Sequence, residues 1–314
     1  MTDVSLVSTP NSRAATLIGC LAILLWSALA LLTAASGAAP PFELAALTFA
    51  IGGGFGLVYA AARGRLGAFI QPWPVWMVGI GGLFGYHALY FAALRRAPPA
   101  EASLIAYFWP LLIVLFSALL PGEHLGPRHI LGAVLGLAGA IVLFAGKATG
   151  GLFANAGGAA LAGYGLAFCS AFVWSAYSLL SRRLSQAPTE AVAGFCLATA
   201  ALAAVCHFAF ETNVAPANAG QWLAIAGLGL GPVGLAFYVW DYGVKNGDIR
   251  LLGVAAYAAP VLSTLILVAA GFAPATPSLA LACALIVAGA AIASFKPKAA
   301  QRKSRRAAGF RQTR

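Results

Sequence analysis

Ten stretches of about twenty apolar residues limit what this chain can become more than anything else in it. They run over roughly 14–35, 42–62, 74–94, 100–120, 128–146, 158–181, 189–210, 220–243, 249–271 and 276–295. Each is long enough for a helix to cross the hydrocarbon core, and a soluble domain has no use for ten of them. The sequence is 61% hydrophobic and 9% charged. It therefore predicts an all-α integral membrane protein with ten transmembrane helices. The first run carries no clear peptidase site and nine more follow it, so it is read as retained.

Two runs are interrupted. Tyr107-Phe108-Trp109-Pro110 lies in the fourth and Tyr257-Ala258-Ala259-Pro260 in the ninth. A proline has no N–H to give and pushes away the carbonyl four residues back, here Ala106 and Ala256. In lipid such a carbonyl must face protein or a wet cavity. Pro110 and Pro260 are thus read as helix breaks and hinges.

The two halves echo each other at a shift of about 147–150 residues. Trp26-Ser27-Ala28 matches Trp174-Ser175-Ala176, Glu43 matches Glu190, Pro110 matches Pro260, and Ala138-Gly139-Ala140 matches Ala288-Gly289-Ala290. Five spans per half is an odd number, so the second half enters the membrane from the opposite side. The expectation is two inverted five-helix repeats (5+5), over 14–146 and 158–295, joined by a linker at 147–157. Residues 1–13 and 296–314 remain as tails.

Lysine and arginine in short loops set the orientation. Arg13, Arg63, Arg65, Arg128, Arg182, Arg183, Lys245 and Arg250 fall on one side, whereas Arg95, Arg96 and Lys147 fall on the other. Eight further basic residues, between Lys296 and Arg314, join the richer side. Both termini are therefore expected in the cytoplasm, with the protein in an inner membrane. The net charge of +11 belongs to this pattern and points to anionic lipid rather than nucleic acid. The five cysteines all fall inside spans without metal-ligand spacing and read as small apolar fillers. Gly132 and Gly136 form a GxxxG pair that suits packing within the fold, which favours a monomer over a homodimer.

The five-plus-five arrangement, the prolines of the fourth and ninth spans, and Gly122-Glu123-His124-Leu125 closing the fourth resemble the EamA family of the drug/metabolite transporter superfamily. The resemblance covers about 14–295. It implies a transporter. The second half departs from the pattern: Gly271-Phe272-Ala273-Pro274 stands where a glycine–glutamate pair would close the ninth span. Glu123 is accordingly not read as a substrate residue.

Aromatic residues deep in the spans are the candidate cavity wall. Tyr86 and Tyr90 share a helix face, with His87 turned about 100° from Tyr86. Tyr107 and Trp109 precede Pro110, and Tyr257 precedes Pro260. Trp174 and Tyr177 share a face in the sixth span, and Tyr238 belongs to the eighth. Their hydroxyl and indole groups need partners, which water and substrate supply. His87 is the ionisable side chain nearest mid-span. Acidic residues all sit at or near span ends, so no buried Asp or Glu is expected.

A cavity without fixed charge suits a neutral or zwitterionic solute. The expected function is export of amino acids, aromatic and other neutral ones, or of similar small metabolites. It would proceed by alternating access and, lacking an acidic relay, by facilitation. Export of lipophilic cations, drugs or nucleotide sugars on the same fold is the alternative. An integral-membrane enzyme would need a nucleophile with its base, paired carboxylates or a metal cluster, and the spans offer mostly Ser and Thr. The reading calls for no cofactor and no metal.

Overall fold

The computed structural model describes residues 12–294 apart from 122–124, 147, 149, 155–156 and 272–273. Both tails proper, part of the 147–157 linker, the Gly122-Glu123-His124 motif and Phe272-Ala273 lie outside the described residues. Among the described residues every regular element is helical. Ten helices are long and apolar enough to span a membrane: α1 (Ser12–Ala35), α2 (Pro41–Ala62), α3 (Trp73–Leu94), α4 (Pro99–Leu119), α5 (Pro127–Ala145), α6 (Gly158–Arg183), α7 (Ala191–Phe210), α8 (Ala219–Asn246), α9 (Ile249–Ala269) and α10 (Pro277–Ser294). These limits match the sequence expectation to within about three residues. Four of the helices open on proline, whose missing N–H costs nothing in a first turn. Ten crossings return Ser294 to the face on which Ser12 starts, here called the terminal face.

The helices pack mainly in four pairs: α5 with α10, α2 with α7, α3 with α6, and α1 with α8. Small residues permit the close approach that lipid does not itself drive. A Cβ on Gly19 of α1 would meet the backbone of Gly243 in α8, and one on Gly132 of α5 would meet the Gly289 carbonyl of α10. The GxxxG pair is therefore used inside the fold, because Gly136 also seats the Tyr257 ring.

Four spans carry an interruption within the described residues. In α4 the helix stops at Ala106 and resumes at Trp109; in α9 it stops at Ala255 and resumes at Ala258. Both breaks lie where the prolines predict. The other two were not expected. In α1 the Ser27 hydroxyl donates to the Leu24 carbonyl at 2.5 Å, drawing it out of the ladder, and the helix turns at Ala28. In α8 Pro232 opens a π turn over Gly231–Leu235. A Gly-Pro step inside an apolar run was the available signal for the second.

Two corrections follow. Ala106 and Ala256 are 2% and 0% exposed, so both face protein as the breaks require. Yet the Ala256 carbonyl is not left open, for the Ala259 N–H reaches it at 3.1 Å. The acids also differ from expectation: Glu43, Glu101 and Asp241 are buried. They do sit near span ends, but loops and side chains from neighbouring segments fold over them. Val214 N–H donates to Glu43, Phe153 N–H to Glu101, and Thr189 and Lys245 both reach Asp241 at 2.8 Å. A buried carboxylate survives only with such partners.

Candidate functional site: an aromatic cage at the helix breaks

The interrupted spans meet at one place. Trp26 lies just before the turn of α1, Trp109 just after the break of α4, and Trp240 beyond the π turn of α8. Trp174 faces them from the uninterrupted α6. The four indoles form a cluster with ring centres 5.2 Å (Trp26–Trp240), 5.7 Å (Trp109–Trp240), 5.8 Å (Trp26–Trp174) and 6.2 Å (Trp109–Trp174) apart. Edge-on and tilted contacts of this kind suit the ring quadrupoles. Phe237 adds a fifth ring and stacks on Phe49 of α2 at 5.5 Å.

A hollow of about 110 Å³ opens against this cluster, lined by Trp26, Tyr86, His87, Tyr107, Trp109, Trp174 and Phe237 together with Pro232, Val233 and Ala259. It shares Leu29, Tyr86, His87 and Val233 with a vestibule of about 320 Å³. The vestibule continues past Tyr90 and Phe91 to Pro41 and Leu94, at the ends of α2 and α3 remote from the terminal face. The cavity therefore opens toward the face opposite the termini, and the tryptophans floor it.

No Asp, Glu, Lys or Arg lines either part. The polar groups are few. Tyr86 and Tyr90 stack at 5.9 Å, and the Tyr90 hydroxyl meets Ser103 Oγ at 2.8 Å. Trp26 Nε1 donates to the Pro232 carbonyl at 3.1 Å, so the break in α8 supplies the indole's partner. Ser175 Oγ donates to the Trp109 carbonyl at 3.0 Å and ties the break of α4 to α6. His87 Nδ1 lies 2.7 Å from the Leu83 carbonyl. A carbonyl can only accept, so Nδ1 carries the proton and the neutral ring keeps Nε2 as an acceptor.

Of the residues the sequence singled out, Tyr86, His87, Tyr90, Tyr107, Trp109 and Trp174 come together here. Three do not. Tyr177 stands behind Trp174, its ring seated on Gly82 of α3. Tyr238 turns away from the cage and donates to the Gly52 carbonyl at 3.0 Å. Tyr257 is wholly buried against Gly136, among Leu104, Leu143 and Phe144. In each case a glycine or a backbone carbonyl on a neighbouring helix captured the ring, a contact that helical spacing does not encode. Trp26, Phe49, Phe237 and Trp240 were missed. The match of Trp26 to Trp174 across the repeat was a usable signal for the first.

Among the described residues no group of three or more His, Cys, Asp or Glu side chains is placed to hold a metal ion. A family model described as the EamA-like transporter family matches residues 13–145 and again 161–295. The chain belongs to that family. The aromatic amino acid exporter YddG of Ancylobacter novellus is 61% identical over 286 residues, covering 91% of this chain and 98% of the relative. The YddG exporter of Escherichia coli K12 is 26% identical over 262 residues, covering 80% and 86%. The pseudopaline exporter CntI of Pseudomonas aeruginosa PAO1 is 35% identical over 103 residues, only 32% and 35% of the two chains. A solved crystal structure of a protein 60% identical in sequence superposes with a TM-score of 0.86, over 90% of this chain and 96% of the other.

Proposed function

We propose that the chain exports amino acids, aromatic and other neutral ones, across an inner membrane by alternating access. The observation that carries this reading is an uncharged aromatic cage set where broken helices meet. An amino-acid side chain would lie between the indoles and the Tyr86 ring, held by dispersion and edge contacts. Its ammonium group would be met by His87 Nε2 and by ring faces. Tyr86, His87, Tyr90, Tyr107, Trp109 and Trp174 would thus be the substrate contacts, with Pro110 and Pro260 as hinges. The likeness to an aromatic amino acid exporter at 61% identity supports the same substrate class.

Two inverted repeats, over 14–146 and 158–295, support the rocking motion this needs. The family model matches twice, and exchanging the halves maps the four helix pairs onto themselves. Both termini would be cytoplasmic, and the cavity described above would then face outward. A monomer would suffice. No carboxylate lines the cavity, which favours facilitation over proton antiport.

The test is flux of labelled phenylalanine, methionine and threonine in proteoliposomes, with and without a pH gradient, competed by a lipophilic cation and a nucleotide sugar. Saturable phenylalanine flux without a gradient is expected. Absence of flux for every amino acid would sink the substrate reading, and strict dependence on the gradient would sink facilitation. Competition by the cation but not by amino acids would favour a drug exporter.

A further inference from the structure

A second hollow, of about 510 Å³, lies away from the cage, between the terminal-face ends of α2 and α8. One end is apolar. Phe55, Tyr59 and Leu235 line it and are exposed on the outer surface of membrane-spanning helices. The other end is polar, with Arg65, Glu190 and Lys245 in its wall. Arg63 stands beside it, its guanidinium 5.9 Å from the centre of the Tyr59 ring. The hollow is therefore amphipathic along the direction of the membrane normal.

Charge decides what fits. Arg65 meets Glu190 at 2.5 Å through one of its five N–H donors, and Lys245 meets Asp241 at 2.8 Å. Arg63 makes no ion pair among the described residues, so three cations face two acids at this mouth. Burial works against the Glu190 carboxylate, but the Arg65 hydrogen bond, a backbone hydrogen bond and the charges of Arg65 and Lys245 together outweigh it and hold its pKa below the ordinary range. Asp241 is already taken by Thr189 and Lys245. A crevice open to hydrocarbon does not fill with water. An acyl chain fits its apolar end, and an anionic headgroup fits the arginines at the interface.

We propose that this hollow is a binding site for one anionic phospholipid. An acyl chain lies along Phe55 and Leu235, and the phosphate is held by Arg63 and the unused donors of Arg65. The back wall is the Tyr238–Gly52 bond that joins α8 to α2. The lipid thus braces the helix that also carries Phe237 and Trp240 into the cage. The proposal does not depend on which solute is transported.

Native mass spectrometry of the full-length purified chain tests it, with phosphatidylglycerol and phosphatidylcholine of equal chain length as probes. One phosphatidylglycerol should be retained at least fivefold over phosphatidylcholine. Arg63→Gln should cut that preference threefold or more, and Arg63→Lys should keep most of it. Leu235→Trp, which fills the apolar end from an exposed position, should remove retention of either lipid while the protein stays monodisperse. Equal retention of the two lipids overturns the anionic assignment. Unchanged retention in both Arg63→Gln and Leu235→Trp overturns the site. Displacement of the lipid by saturating phenylalanine would place the hollow on the transport path and overturn the proposal as well.

Discussion

The breaks in α4 and α9 share a proline and a position in the repeat, yet they do opposite things. At the first, Tyr107 and Trp109 turn into the cavity, and the Trp109 carbonyl is fixed by Ser175. At the second, Tyr257 packs outward onto Gly136, and Ala259 lines the cavity in the place that corresponds to Trp109. The first break builds a wall; the second leaves a space opposite it. Were both positions tryptophan, the hollow of about 110 Å³ would be closed. The lesson is that two spans broken near a proline supply similar openings, while the pocket exists because their side chains differ.

The sharpest way to break this comparison is to remove the difference. Ala259→Trp should fill the space and reduce phenylalanine flux in proteoliposomes by about a hundredfold, a barrier change near 2.7 kcal/mol. Flux near wild type would show that Ala259 does not face the solute. The reverse change is milder. Trp109→Ala removes one indole from the cage and should lower kcat/KM about tenfold, with monodispersity and Tm little altered. Should Trp109→Ala transport normally, the wall assignment fails.

The carbonyls sharpen it further. Pro110→Ala restores an N–H that can close on Ala106, a gain of about 1 kcal/mol for the straight helix. Turnover should slow roughly threefold to fivefold. Pro260→Ala should slow it less, because that break reaches the cavity only through Ala259, whereas the first reaches it through Tyr107 and Trp109. Equal slowing in the two variants would mean that the breaks are used alike. The smallest effect belongs to Tyr257→Phe, which deletes a hydroxyl far from the cavity. Flux should stay within about twofold of wild type and the stability change within about 1 kcal/mol, read as Tm by thermal unfolding in detergent.

Much of this was legible before any coordinates. The spans follow from run length, because a bilayer imposes one thickness on every crossing helix. The breaks of α4 and α9 follow from Pro110 and Pro260, because a missing N–H acts within one turn. Depth, shared helix faces and closeness to a proline selected Tyr86, His87, Tyr90, Tyr107, Trp109 and Trp174, which line the cavity. The same criteria also selected Tyr177, Tyr238 and Tyr257, which face elsewhere. Depth comes from counting along the chain. Direction comes from how a helix is rotated against its neighbours, and Gly82, Gly52 and Gly136 settle that from other helices. The buried acids were misread for a related reason. A carboxylate at a span end is solvated or covered according to a loop's path, as Val214 over Glu43 and Thr189 over Asp241 show.

By itself, then, the amino-acid order settled the ten crossings and two of the four interruptions. These depend on local chemistry, the length of an apolar run and the absence of a donor. The contacts between distant helices decided the rest: which rings floor the cavity, which turn away from it, and which half supplies the wall. Those choices are made by shape where two helices touch, and spacing along one helix carries no record of its partner.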